Sequence, residues 1–223
     1  DGESLGEVED ETFCADSMTV AFHGVNVHPG FAKNKMINSI KAAAAFVENL
    51  PKGALSPETT EKREGYVHPN SITGNEEKTV VKLIIRDFTE QGLVEHERLV
   101  EERARAAEKA WPGVRLETQV SHSYRNMKLM IDRRPETTAL AEEAIRAAGL
   151  KPVKNPIRGG TDGARLSFMG LPTPNIFTGG HNYHGKKEWV CLQHMEKAAE
   201  VCLHLVALWA AKGEKQGLLA PVS

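Results

Sequence analysis

Seven consecutive residues, Thr79-Val80-Val81-Lys82-Leu83-Ile84-Ile85, include five that are β-branched. Such residues are stiff at χ1 and pack well on a pleated surface, so a run this dense reads as a strand. A second strand pattern, Tyr66–Thr73, lies just before it, and Gly74-Asn75 between the two has the chemistry of a hairpin turn. Thr12–His23 alternates with period two from Met18 onward and reads as a half-buried strand. Lys35–Leu50 places Met36, Ile37, Ile40, Ala43, Ala44 and Val47 at helical spacing before Pro51. Leu93–Trp111 is a long charged helix with Leu93, Val100, Ala104, Ala107 and Trp111 as its inner face, ended by Pro112-Gly113. Val114–His122 alternates again. The order over residues 17–123 is βαββαβ, the ferredoxin-like pattern of one sheet with two helices on a single face.

After Tyr124 the texture changes. Glu136–Ala148 reads as a helix ended by Gly149, Thr173–Phe177 as a short strand, and Cys191–Lys212 as a closing helix. That closing helix would bury Met195, Ala198, Cys202, Leu205 and Trp209. The segment has too few strand patterns to make a sheet of its own. Two glycine-rich stretches interrupt it, at 156–163 and 179–187.

The 223 residues carry 28 Lys+Arg against 30 Asp+Glu, a formal charge of −2. No basic stripe argues for nucleic acid. The longest apolar run, Val201–Ala211, is broken by His204 and falls short of the ~20 residues a membrane span needs. Three cysteines, Cys14, Cys191 and Cys202, fit a reducing compartment better than a disulfide framework, which points to the cytoplasm. The opening residues are acidic with no base, so no secretory leader is expected there. The start at Asp1, inside structured-looking sequence, leads us to expect further chain upstream.

Four short stretches could carry chemistry. Thr178-Gly179-Gly180-His181-Asn182-Tyr183-His184-Gly185 sets histidines among glycines, where an imidazole can reach a metal; the plain alternative is a surface loop. A His-x-x-His spacing alone falls short of the three or four ligands of a zinc site. Ile157-Arg158-Gly159-Gly160-Thr161-Asp162-Gly163 could offer backbone N–H groups and the Arg158 fork to an anion, or could be a tight turn capped by Asp162. His28-Pro29-Gly30 follows a strand, and a lone loop histidine is commonly just solvated. Asp1–Glu7 taken alone is a charged turn, and Arg86-Asp87 reads as a boundary ion pair or a solvent-facing strand end.

Taken in order, these pieces resemble the peptidase T family, di-zinc tripeptide aminopeptidases related to carboxypeptidase G and succinyl-diaminopimelate desuccinylase. The resemblance runs along essentially the whole chain. Its most specific stretch is Pro156–Gly163 followed by Leu166-Ser167-Phe168-Met169-Gly170-Leu171-Pro172. It implies an α/β fold: the C-terminal part of a di-zinc exopeptidase catalytic domain with an inserted ferredoxin-like lid that makes a homodimer. Residues 1–14 would end the first catalytic segment, 15–125 would be the lid and 126–223 the second catalytic segment. The resemblance also implies roles. Asp1 and His184 would each ligate one of two zinc ions. His28 would reach the neighbouring subunit's site and donate to the oxyanion. Arg86, Arg158 and Thr161 would face the tripeptide substrate.

The family's other metal ligands and its general-base glutamate have no counterpart from Asp1 onward. Glu3 and Ser4 stand where the family usually has glycines. The expected function is therefore a zinc-dependent tripeptidase when full length, with this stretch alone inactive. Two other readings stay open. The chain could be a non-catalytic dimerisation or docking fragment, or part of another exopeptidase or amide hydrolase of the same fold.

Overall fold

The computed structural model describes residues 2–215. They form two compact units. One is Phe13–Arg125 and the other is built from Asp1–Thr12 and Asn126–Ser223. In chain order the discontinuous unit opens with β1 (Glu7–Glu9). The inserted unit follows with β2 (Cys14–His23), α1 (Ser39–Glu48), β3 (Tyr66–Gly74), β4 (Lys78–Asp87), α2 (Glu90–Ala110) and β5 (Arg115–Tyr124). The chain returns to the first unit through α3 (Lys128–Ile131), α4 (Glu136–Ala147), β6 (Val153–Lys154), α5 (Asp162–Phe168), β7 (Asn175–Ile176), β8 (Gly180–His181), β9 (Trp189–Val190) and α6 (Leu192–Lys215).

The inserted unit is a four-stranded antiparallel sheet in the order β3-β4-β2-β5 with α1 and α2 packed on it. This is the ferredoxin-like arrangement. Period-two side chains meet helical ones at the sheet–helix seam: Met18, Val20 and Phe22 from β2, Val81, Leu83 and Ile85 from β4, then Phe46 from α1 and Leu93, Val100, Ala104 and Ala107 from α2. Helix α1 begins later than the spacing predicts. Asn38 Oδ1 accepts the Ile40 N–H and caps the helix, while Ile37 bridges to Val25. Helix α2 is capped by Thr89, whose Oγ1 accepts the Gly92 N–H at 3.0 Å. Arg86 and Asp87 do not pair with each other. Arg86 Nη1 donates to the Asp16 carbonyl at 3.0 Å, and Asp87 lies 3.1 Å from His96 Nε2.

The other unit has a three-stranded sheet, β6-β1-β7, with β1 at its centre. The segment after Tyr124 contributes only the two outer strands of this sheet, in keeping with its few strand patterns. The central strand comes from the acidic opening, whose charges mask a strand pattern. Val8 and Phe177 join Ala141, Ala144 and Ile145 of α4 and Val201 of α6 in one core. The inner face of α6 is Ala198, Val201, Leu205 and Leu208, while Cys202 is exposed and Met195 is 47% exposed. The helix is apolar on several sides, so spacing alone does not select the stripe that meets α4. No helix among the described residues is long and apolar enough to cross a membrane.

Candidate metal-ligating edge and lid residues

The segment after Asp1 folds back on β1. Glu7 is buried, and its Oε2 accepts the N–H groups of Glu3 and Ser4, both at 2.9 Å. Its Oε1 accepts from Asn155 Nδ2 at 2.7 Å. A buried carboxylate with three donors is satisfied and holds the turn rigidly. Glu9, Asp10 and Glu11 are buried as well. Asp10 pairs with Lys154 at 2.6 Å, and Glu11 Oε1 accepts from Asn126. Burial, reinforced by the neighbouring Glu7 charge, pushes Glu9 up to about 7. Sequence reading missed this group. Its signal was a run of acids threaded by Val8 with no basic residue beside it.

Gly2, one residue after Asp1, is bridged to Phe177. Its N–H donates to the Ile176 carbonyl at 3.3 Å, and its carbonyl accepts from the Thr178 N–H at 3.0 Å. Phe177 and Thr178 lead directly into the histidine loop. Gly179 sits there at φ +87°, where a Cβ would meet the Cys191 carbonyl oxygen at 2.8 Å. At Gly180 a Cβ would lie 2.3 Å from the Tyr183 hydroxyl, so this position admits no side chain without moving Tyr183. His184 has φ +63°, its N–H donates to Glu188 Oε2 at 2.8 Å, and its ring is exposed. The loop carrying His184 is thus fastened to the segment that follows Asp1. Asp1 itself lies outside the described residues, as do residues 216–223 of the expected second catalytic segment.

His181 does not share the exposed position of His184. Its ring stacks on Trp189 at 4.4 Å, and its backbone pairs with Trp189 across β8 and β9.

Arg158 and Thr161 lie on a different loop. The Ile157 N–H donates to the Glu11 carbonyl at 2.8 Å, four residues past Glu7, whose carbonyl accepts the Phe177 N–H at 3.1 Å. That separates the two anchors by roughly 13 Å of extended chain. Arg158 is half-buried. Thr161, rather than Asp162, occupies the N-cap of α5. Its side chain caps nothing, and its Oγ1 is buried without a hydrogen-bond partner.

His28 and Arg86 belong to the inserted unit. His28 caps a short 3₁₀ turn, Pro29–Phe31, and its ring is exposed. Nδ1 accepts the Gly30 N–H at 3.1 Å. In the neutral ring this leaves the proton on Nε2, so the free nitrogen is a donor. Arg86 sits where β4 pairs with Ala15, whereas the His28 turn follows His23, which pairs with Lys78. The eight-residue offset along β2 puts Arg86 and the strand end that leads to His28 roughly 26 Å apart, at opposite ends of one sheet. Arg86 also lies 5.6 Å from the Tyr124 ring centroid.

The donor set can be tested against the implied metal. His184 presents an exposed imidazole on a loop tied to the Asp1 segment, which fits a ligand position. One imidazole and one carboxylate fall short of the three protein ligands of a catalytic zinc site, so these two residues alone would not complete one. A different group, Asp16, Glu97 and His122, brings three ligand-type atoms within 4.8 Å of one another in the inserted unit. Arg125 already pairs with Asp16 there, at 2.8 Å.

Comparison with known proteins gives a consistent picture. Residues 11–112 match the family described as a peptidase dimerisation domain. Peptidase T of Clostridium perfringens is 47% identical over 212 residues, covering 95% of this chain and 52% of the relative. Peptidase T of Aeromonas hydrophila is 46% identical over 211 residues, with 95% and 52% covered. The chain therefore spans about half the length of the curated relatives it matches. Among solved structures, a tripeptidase from Staphylococcus aureus aligns with TM-score 0.77 at 16% identity, over 93% of this chain and 55% of that one. Aminopeptidase PepT from Bacillus cereus gives 0.72 at 19%, over 92% and 55%. A Bacillus subtilis protein described as a dinuclear metal binding peptidase of the M20 family gives 0.61 at 13%, over 92% and 54%. At these identities the structural matches speak for the fold.

Proposed function

From the premise that this chain is a homologue of peptidase T along 95% of its length, we propose that it is the C-terminal part of a zinc-dependent aminopeptidase that releases the N-terminal residue of tripeptides. The observation that carries the reading is the anchoring of the His184 loop on Gly2, which brings one expected ligand segment against the other. When bound, two zinc ions would supply Lewis acidity and a water acidified to near neutrality. Asp1 and His184 would each hold one of them. Arg158 would bind the C-terminal carboxylate and so measure substrate length, with Arg86 as a second candidate for that contact. Thr161 lies in the same substrate-facing loop, with its unpaired hydroxyl buried there. His28 donates a hydrogen bond from its Nε2–H to the oxyanion of the tetrahedral species.

His28 acts on the partner subunit's site in a cytoplasmic homodimer formed through the inserted unit. The separation of His28 and Arg86 at opposite ends of one sheet supports this, since a single site then draws them from two subunits. The ligand shortage makes the isolated 223-residue chain inactive. Metal analysis with tripeptide hydrolysis on the full-length protein tests the reading. It fails if the pure protein turns over tripeptides at the same rate after its metal is stripped by a chelator, or holds no metal and no activity.

A further inference from the structure

A short hydrogen-bonded chain joins the two segments on which the proposed metal ligands sit. Thr178 N–H donates to the Gly2 carbonyl at 3.0 Å, and Thr178 Oγ1 lies 3.4 Å from the same oxygen. Oγ1 also receives the Gly180 N–H at 3.3 Å and lies 2.7 Å from the Tyr183 hydroxyl. One proton arrangement satisfies every group. Tyr183 and Gly180 donate to Oγ1, and the Thr178 hydroxyl donates onward to Gly2. A threonine hydroxyl has two lone pairs and one hydrogen, so its capacity is then full. Gly2 follows Asp1 and Tyr183 precedes His184.

We infer that Thr178 and Tyr183 are positioning residues that set the spacing between the Asp1 and His184 segments for metal binding; this rests on the metal reading above. Two features outside the Thr178 bonds agree. Asn182 and His184, on either side of Tyr183, both occupy the left-handed region, at φ +61° and +63°. Non-glycine residues hold that conformation only where their surroundings over-determine it. The surroundings do so here. Asn182 Nδ2 donates to the Lys187 carbonyl at 3.2 Å, Gly185 N–H to the Asn182 carbonyl at 3.0 Å, and His184 N–H to Glu188 Oε2 at 2.8 Å. In addition, the Tyr183 phenol fills the space that the missing side chain of Gly180 leaves open. A loop that only closed a surface turn would not require a phenol lodged against glycine and bonded back to Thr178.

The test is zinc affinity of the full-length protein, measured by titrating Zn²⁺ into metal-stripped protein against a competing chelator, with the melting temperature of the stripped protein read in parallel. Thr178→Val keeps the shape and removes the hydroxyl. It is expected to weaken zinc binding by about 10–100-fold, as other outer-shell losses do, with little change in melting temperature. Thr178→Ser should restore affinity. Tyr183→Phe, which keeps the ring on a partly exposed loop, should weaken binding in the same direction and serves if Thr178→Val does not fold. His184→Ala is the reference. If His184→Ala loses zinc while Thr178→Val and Tyr183→Phe bind it like wild type, the positioning role is refuted and the metal reading stands. If affinity falls only together with melting temperature and Thr178→Ser does not restore it, the pair is structural and the inference fails. If His184→Ala itself binds zinc like wild type, the metal reading falls and takes the inference with it.

Discussion

Arg125, the last residue of the inserted unit, grips Asp16 near that unit's start with both arms of its guanidinium. Nη1 lies 2.8 Å from Oδ1 and Nη2 lies 3.2 Å from Oδ2. Asp16 is almost fully buried, and it also receives the Ser123 N–H and faces His122 Nδ1 at 2.9 Å. Burial pushes the Asp16 carboxyl up, but the hydrogen bonds from Arg125, Glu97 and His122 outweigh it and hold the carboxyl below its ordinary range. The pair thus fastens the two chain ends of the inserted unit, where β2 begins and β5 ends.

Arg125→Ala leaves a buried carboxylate without its fork. A loss of about 3 kcal/mol of stability is expected, because the remaining charge is uncompensated. Urea unfolding followed by circular dichroism measures it. A change below about 0.5 kcal/mol would show that His122 and Ser123 suffice for Asp16.

Glu97 sits beside this pair with its carboxyl pushed up to about 7, by burial first and then by the hydrogen bond and charge of Asp16. A carboxylic acid there donates to Asp16. Between about pH 4.5 and 7 the folded protein holds this proton and the unfolded chain does not, so stability falls as pH rises through that window and levels off above it. Glu97→Gln removes the titration and keeps a donor. Relative to wild type, the variant should lose part of the decline in unfolding midpoint between pH 5 and 8 and gain stability at pH 8. Parallel midpoint curves for the two proteins would contradict the assignment.

His28→Ala in the full-length protein should lower kcat by about 10²–10³ while zinc content and melting temperature stay near wild type. The proposed trans role gives a second readout. Mixing His28→Ala and His184→Ala homodimers under subunit exchange should recover activity, because one site of the heterodimer has intact ligands and an intact His28 from its partner. No recovery, with exchange verified by a tag, would place His28 in its own subunit's site or on the bare surface.

Phe46 of α1 is fully buried, with its ring centroid 5.8 Å from that of Phe22 on β2. Phe46→Ala opens a cavity at the sheet–helix seam and should cost about 3–5 kcal/mol. Calorimetry checks this, and a shift in melting temperature of only a degree or two would mean that the core refills the space.

The strands of the inserted unit were legible because each carries its own local pattern. Thr79–Ile85 is dense in β-branched residues, Met18–Phe22 alternates, and the inner face of α2 recurs at helical spacing, so period and propensity agree with the final packing. The acidic strand Glu7–Glu9 was not legible. The Glu7 carboxylate becomes tolerable inside only through a partner distant in the chain, Asn155. The stripe of α6 that meets α4 was likewise undetermined, since several faces of that helix are apolar.

The residue types of the candidate site, a loop histidine among glycines and an arginine beside Gly159-Gly160, are properties of the sequence. Which of them share a place was decided by tertiary structure. The Gly2–Phe177 bridge spans 175 positions and joins the Asp1 and His184 segments. The sheet register separates His28 from Arg86. Local propensity acts over a few residues, whereas these placements come from pairing backbone groups that only the folded chain brings within hydrogen-bonding distance.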